Sequence, residues 1–247
     1  MSVPRIFVAP NHIHGSIITI QDPAQIHHLR KVLRLCRGDH VVCLDGQGAG
    51  YQGTVRSVTA RGLEVQIKRI QQTEELQGTL WLGQALPKGN RIDWLIQKAT
   101  ELGITRLTPV VTQRTASRLS HGLIPQRWQR WQRIAQQAAQ QSGRSRLPII
   151  DAPQPLREFL RALPSTALIV MATLVQPTRP LREVLASAKT FRHVVILIGP
   201  EGDFSPEEVA EAIASGAQPV SLGSLTLRTE TAAVATTAIV NFVLQVT

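Results

Sequence analysis

Two short segments in the last fifty residues combine charged side chains with turn-forming residues in a way that could do chemistry. The first, IGPEGDF at 198–204, sets Glu201 between Gly199 and Gly202, directly before residues typical of a helix start. Glycine lets the backbone approach a ligand closely, and the free amides at a helix start favour a negative group. A tight turn between a strand and a helix would use the same residues, so both explanations stay open.

The second segment, SLGSLTLRTETA at 221–232, places Arg228 and Glu230 between an apolar strand and an apolar helix. Charged side chains in such surroundings are usually paired or take part in function. The purely structural explanation is one ion pair that caps the last helix.

Several familiar motifs are missing from the sequence. No GxGxxG follows the first strand of the α/β part, so a Rossmann dinucleotide or ordinary Rossmann methyltransferase site has no support. The absence of GxxxxGK[ST] and GxSxG argues against a P-loop NTPase and an α/β-hydrolase. The seven histidines form no metal-binding pattern, and we expect His27 and His28 to be one partly buried and one solvated residue of a short helix.

The positive charge of the chain is concentrated in its middle. The net charge is +10, and residues 76–146 alone carry eleven Lys or Arg against two Asp or Glu. Residues 147–247 are slightly acidic, with seven basic residues against nine acidic ones. This polarity favours a polyanionic partner, nucleic acid before a membrane surface, although a basic surface kept for solubility is the simpler alternative.

The first 72 residues are predicted to form a small β-barrel with one helix. The spacing of apolar residues predicts a helix over 23–34 with one apolar and one basic face. A short β-branched run at 40–44 and alternating stretches at 51–58 and 63–70 predict strands separated by turns. The polar stretch 71–77 is the predicted linker to a second domain.

From residue 76 to 247 predicted strands and helices alternate, which indicates an α/β domain with a mainly parallel sheet. The strands are expected at 79–86, 107–111, 168–172, 193–198 and 219–222. Helix starts are expected at Asn90, with Asp93 completing a capping box, and at Ser205, with Pro206 and Glu208. A third helix should run from 125 to 143. Ligands should lie at the carboxyl ends of the strands, beside the loops 173–177, 199–204 and 223–228.

The sequence also predicts a cytoplasmic location. Cys36 and Cys43 are the only cysteines and form no CxxC pattern, so neither a disulfide framework nor a zinc site is indicated. Residues 1–16 lack the apolar core of a secretory signal, and the apolar stretch 231–247 is too short and too polar for a membrane helix.

Five segments in order closely resemble the bacterial 16S ribosomal RNA (uridine-N3) methyltransferases, a branch of the SPOUT class. They are HHLRKVLRL at 27–35, KGNRIDWLIQKATELGI at 88–104, RWQRIAQQAAQQSGR at 130–144, LIGPEGDFSPEEV at 197–209 and SLGSLTLRTETAA at 221–233. The resemblance spans nearly the whole chain. It implies a PUA-like RNA-binding barrel over 1–72 and, over 76–247, a SPOUT domain tied in a deep trefoil knot that binds S-adenosylmethionine and dimerises.

Carried over residue by residue, the resemblance implies the cofactor-binding residues, while the chemistry of the implied reaction and the basic residues of the chain indicate catalytic and phosphate-binding candidates. The cofactor-binding set is Leu174, Gly199, Glu201, Gly202, Leu222, Gly223 and Leu227. The catalytic candidates are Arg228, Glu230 and Glu201. The residues expected to hold RNA phosphates are Arg5, His28, Arg30, Lys31, Arg34, Arg91, Arg114, Arg118 and Arg144. Two positions depart from the family: Leu225 stands where an arginine is common, and Gln137 where a glutamate is common.

The resulting hypothesis is metal-free methylation of N3 of a uridine in small-subunit ribosomal RNA, naked or in the 30S particle. The alternatives are an RNA-binding assembly factor without activity and a SPOUT enzyme for another RNA. The last helix, expected over 230–246, is apolar on nearly every side. We expect it to form a homodimer interface, although burial within its own domain would explain the same pattern.

Overall fold

The computed structural model describes residues 3–72, 78–115, 124–186 and 191–245. The chain forms two compact units. The first consists of Met1–Glu75 and Ala139–Leu147, and the second of Leu76–Ala138 and Pro148–Thr247. These units differ from the predicted domains 1–72 and 76–247 in the segment 139–147, and the domain boundaries themselves stay a prediction.

A six-stranded, mostly antiparallel sheet forms the first unit. Its strands are β1 (Arg5–Phe7), β2 (Ile13–His14), β3 (Ile17–Ile20), β4 (His40–Leu44), β5 (Ala49–Val58) and β6 (Leu63–Gln72). They lie in the order β1-β4-β5-β6-β3-β2, and only the pairing of β1 with β4 is parallel among the described strands. Ile18, Ile20, Leu63 and Val65 are buried in its core, as alternation along the strands requires.

Helix α1 (Pro23–Lys31) is shorter than the predicted 23–34. The carboxylate of Asp22 caps it by accepting a hydrogen bond from the backbone N–H of Gln25 at 2.7 Å. Ile26 and Leu29 face the core, and both His27 and His28 are exposed. The expectation that one of these histidines would be partly buried was therefore wrong, because the two residues lie between the apolar positions on the outer face of the helix.

The segment 139–147 belongs to the first unit because its side chains pack there. It contains the end of helix α3 (Ile124–Ser142), where Ala139 is buried with Phe7 and Leu44. Gln140 Nε2 donates a hydrogen bond to the carbonyl oxygen of Arg5 at 2.5 Å. The order of elements along the sequence does not reveal that the end of α3 belongs to the first unit, because α3 is one continuous helix.

The second unit is built on a parallel sheet. Its strands are β7 (Thr79–Ala85), β8 (Arg106–Val111), β9 (Ile149–Ile150), β10 (Gln154–Pro155), β11 (Leu168–Ala172), β12 (Arg179–Pro180), β13 (His193–Ile198) and β14 (Ala217–Ser221). The order is β10-β8-β7-β13-β11-β14-β12, with β9 also paired to β8, and every pairing is parallel. The predicted α/β class with a mainly parallel sheet is confirmed, and the trefoil knot stays a prediction.

Helices cover both faces of this sheet. They are α2 (Arg91–Glu101), α3, α4 (Leu156–Arg161), α5 (Leu181–Leu185), α6 (Pro206–Ala214) and α7 (Thr229–Gln245). Along β13, Val194 and Ile196 pack into one buried cluster while Val195 and Leu197 pack into another on the opposite face. Burial on both faces explains why the central strands are continuous apolar runs. None of the described helices is long and apolar enough to cross a membrane.

The two predicted capping boxes have different outcomes. At α6, Ser205 and Glu208 form the box as predicted, since each side chain accepts a hydrogen bond from the other residue's backbone N–H. At α2 the prediction was wrong, because within the described residues the Asn90 side chain makes no capping bond. The Asp93 carboxylate instead accepts hydrogen bonds from Arg130 Nε at 2.8 Å and Trp131 Nε1 at 3.1 Å.

Candidate functional site

A cavity of about 560 Å³ lies at the carboxyl edge of the parallel sheet. Three loops form its walls, at 172–174, 198–203 and 220–229, with Arg91 and Ala232 beside them. The loops follow β11, β13 and β14, and these strands are neighbours in the sheet. Because carboxyl ends of adjacent parallel strands meet at one edge, the topology brings together loops that are far apart in sequence.

Asp203 ties the first loop to the second. Its Oδ2 accepts hydrogen bonds from Thr173 Oγ1 at 2.9 Å and from the Leu174 N–H at 2.7 Å. Its Oδ1 accepts one from the Phe204 N–H at 2.8 Å. Asp203 also has a positive φ of 62°, a conformation that Asp and Asn tolerate better than most residues. Asp203 was not among the predicted site residues, although it stands in the segment that drew attention first.

Gly199 is explained by the packing of its own loop. A Cβ at this position would lie 3.0 Å from Asp203 Oδ1 and 3.1 Å from the Phe204 ring. The sequence left two explanations open for this glycine, close approach by a ligand and a tight turn, and its crowding by Asp203 and Phe204 favours the turn. Gly223 differs, since its φ of 132° is one that favours glycine and its Cβ position is open.

A buried hydrogen-bond chain fixes the start of α7 against the second loop. Thr229 Oγ1 donates to the Gly199 carbonyl oxygen at 2.6 Å and accepts from Gln84 Nε2 at 3.1 Å. Thr229 and Gln84 are both buried. Buried polar groups that find partners are rigid, so this chain holds the third loop where α7 begins.

Arg91 bridges two of the catalytic candidates. Its Nη1 lies 3.6 Å from Glu201 Oε1 and 3.6 Å from Glu230 Oε1. Glu201 Oε1 also accepts a hydrogen bond from the Lys88 N–H at 2.7 Å. Arg91, Glu201 and the exposed Arg228 line the cavity, whereas Glu230 is not among the described residues that line it. The structure thus brings the three candidates to one region, and their roles stay predictions.

All seven predicted cofactor-binding residues line the cavity. Leu225, one of the two departures from the family pattern, lines it as well and is 77% exposed. The second departure, Gln137, is exposed on α3. In the described part of the chain no group of three or more His, Cys, Asp or Glu side chains could hold a metal ion.

The predicted phosphate-binding residues are scattered over both units. The exposed ones in the first unit are Arg5, His28, Arg30, Lys31 and Arg34. Arg144 is half-buried, and burial lowers the pKa of its guanidinium to about 10. In the second unit, Arg91 lines the cavity and Arg114 Nη1 donates to the Asp203 carbonyl oxygen at 3.3 Å. Arg118 lies outside the described residues.

The parallel sheet, the loop-walled cavity at its carboxyl edge and the attached β unit define a two-part α/β protein with a ligand site. Residues 74–241 match the model of an RNA methyltransferase domain, and residues 20–68 match that of an RNA methyltransferase PUA domain. The chain therefore belongs to the RNA methyltransferase family that includes the proteins named ribosomal RNA small subunit methyltransferase E. The family resemblance seen in the sequence and the PUA-type amino-terminal domain are confirmed.

Individual relatives are similar over most of their length. The chain is 34% identical to ribosomal RNA small subunit methyltransferase E of Synechocystis, covering 98% of this chain and 78% of the relative. The Bacillus subtilis protein of the same name is 27% identical, with 84% and 83% covered. A crystal structure of the Neisseria gonorrhoeae enzyme bound to S-adenosyl methionine superposes with a TM-score of 0.86 at 28% identity, covering 98% of both chains.

Proposed function

We propose that this protein transfers a methyl group from S-adenosylmethionine to N3 of a uridine in 16S ribosomal RNA of the small subunit. The observation that carries the proposal is the cavity formed by three loops at the carboxyl edge of the sheet, in a chain of this family. Since ribosomal subunits are the substrate, the proposal places the protein in the cytoplasm.

The residues around the cavity suit S-adenosylmethionine. The volume of about 560 Å³ falls within the usual range for a ligand of this size. The apolar side chains that line the cavity can cover an adenine ring; they include Ala172, Ile198, Val220, Leu222 and Leu227. Backbone N–H and C=O groups of the loops can recognise the edges of the base. When bound, S-adenosylmethionine supplies a methyl group on a positively charged sulfur.

The protein has two tasks in this reaction. Its loops must align the uracil nitrogen with the methyl carbon and the sulfur, and a group must accept the proton that N3 carries. Glu201 and Glu230 are the candidate acceptors, and Arg228, which lines the cavity, is the candidate for stabilising negative charge on the uracil carbonyl oxygens. A uracil N3 inside a base pair is inaccessible, so the target base must be unpaired or turned out of its stack.

The partners in this proposal are small-subunit RNA, free or in the 30S particle, and a second copy of the chain. An apolar stripe on α7 favours the homodimer, since Ile239 is 46% exposed and Phe242 is 68% exposed. Ala235 and Ala238 are half-buried on the same side of the helix. Light scattering at micromolar concentration should give the dimer mass, and a monomer mass would contradict this interface.

Mass spectrometry of nucleosides tests the reaction directly. Small subunits that lack the modification, incubated with the protein and S-adenosylmethionine, should gain 3-methyluridine. A 2′-O-methylated nucleoside or a methylguanosine would instead indicate another enzyme of the same class. Failure to bind S-adenosylmethionine in calorimetry would favour the assembly factor without activity.

A further inference from the structure

The two candidate carboxylates at the cavity have different surroundings. Glu201 lines the cavity, and its Oε1 is held by the Lys88 N–H at 2.7 Å and by Arg91 at 3.6 Å. Glu230 is not a lining residue, and its Oε2 is buried without a hydrogen-bond partner among the described residues. A group that must meet a substrate proton has to face the cavity, which favours Glu201 over Glu230.

Arg91 lies at a position where a positive charge is unfavourable. Arg91 is the first residue of α2, and a positive charge at the start of a helix is unfavourable because the helix dipole is positive there. The carboxylates of Glu201 and Glu230 offset this unfavourable interaction, since an oxygen of each lies 3.6 Å from Arg91 Nη1. They come from different elements, the loop after β13 and the first turn of α7, so one arginine joins the start of α2 to both of these elements.

A phosphate contact, the role expected for Arg91 from the sequence, fits this arrangement poorly. Arg91, Glu201 and Glu230 together carry one positive and two negative charges. A cluster with net negative charge repels a phosphate, and the guanidinium already has two carboxylate partners. Arg91 is therefore better placed to act on its neighbours than on the RNA backbone.

We propose that Glu201 is the group that accepts the N3 proton and that Arg91 is the positioning residue that holds it, with Glu230 as the half-buried counter-charge that keeps Arg91 in place. This inference rests on the proposed function. The proton passes from N3 to a carboxylate oxygen of Glu201. The electron pair left on N3 forms the bond to the methyl carbon, and the pair of the broken carbon–sulfur bond stays on sulfur.

Four variants separate these roles: Glu201→Gln, Glu230→Gln, Arg91→Met and Arg91→Lys. Loss of the acceptor in Glu201→Gln should lower kcat by about 100-fold or more, as expected for a general base. A misplaced acceptor in Arg91→Met should lower kcat by about tenfold, and Arg91→Lys should recover most of it because the charge is kept. The loss of kcat in Glu230→Gln should be smaller than the loss in Glu201→Gln. KM for RNA should stay within about threefold in all four.

Two further measurements distinguish positioning from folding. Calorimetry should give near wild-type affinity for S-adenosylmethionine in the Arg91 and Glu230 variants. Because Glu201 itself lines the cavity, kcat of Glu201→Gln is measured at saturating S-adenosylmethionine. Thermal unfolding should show that each variant is folded. The matched control is Arg157→Met. Arg157 Nε donates a hydrogen bond of 2.6 Å to Glu211 Oε1, and neither residue lines the cavity. This control should keep the wild-type kcat.

Several results would overturn the inference. A larger loss of kcat in Glu230→Gln than in Glu201→Gln would exchange the two roles. A rise in KM for RNA without a change in kcat in Arg91→Met would make Arg91 a phosphate contact. If the wild-type protein methylates a position other than uracil N3, the proposed function fails, while the order of kcat values still tests the roles of Arg91 and Glu201.

Discussion

At the scale of single residues, the cavity depends on side chains that connect loops far apart in sequence. Arg91 reaches Glu201 and Glu230, and Asp203 reaches Thr173 and Leu174. The sequence predicts that Arg228 and Glu230 are paired or functional, and in the structure Glu230 pairs with Arg91. The sequence could not indicate such partners, because these come from elements that only the folded sheet brings together.

The hydrogen bonds accepted by the Asp203 carboxylate can be tested by removing that group. Asp203→Gly keeps a residue suited to the positive φ but removes the carboxylate that accepts three hydrogen bonds. With the first loop released, affinity for S-adenosylmethionine should fall by about tenfold, in line with the loss of hydrogen bonds to a charged group. Calorimetry measures the change. Glu207→Gln, an exposed carboxylate four residues on, is the control, and an equal loss there would contradict a specific role for the Asp203 tie.

At the scale of elements, helix starts show what a local pattern can and cannot predict. The box at α6 was predictable because both partners, Ser205 and Glu208, lie within four residues of each other. The box at α2 was not, because Arg130 and Trp131 of α3 bind the Asp93 carboxylate. The buried strands of the second unit were found nearly to the residue, since burial on both faces leaves an unbroken apolar run.

The α6 cap gives a prediction about stability. Ser205→Ala removes the hydroxyl that accepts the Glu208 N–H, so the free energy of unfolding should fall by about 1 kcal/mol. Thermal unfolding should show a Tm lower by about 2 to 4 °C for a unit of this size. Ser215→Ala, at the exposed other end of the same helix, should change Tm less. Equal shifts in the two variants would mean that the cap contributes no more than a surface hydroxyl.

At the scale of the whole molecule, the charge count of the sequence overstates the charge available to RNA. Within the basic segment 76–146, Arg106 forms an ion pair with Asp151, Arg130 with Asp93, and Arg91 with two glutamates. Arg144 is half-buried. The sequence located the excess charge correctly, but only the structure separates arginines held by carboxylates from those exposed to solvent.

This distinction predicts which basic residues set RNA affinity. Arg30 and Lys31 are exposed on α1, so replacing both by alanine should weaken RNA binding and lower the slope of log affinity against log salt by about 2, one for each phosphate that is no longer neutralised. Affinity for S-adenosylmethionine should stay unchanged, because neither residue lines the cavity. Arg157→Ala is the control, since Arg157 already pairs with Glu211. Filter binding over a salt series measures the slope. An unchanged slope in the double variant would mean that the RNA binds another surface. An equal loss of slope in Arg157→Ala would mean that RNA binding responds only to the net charge of the protein.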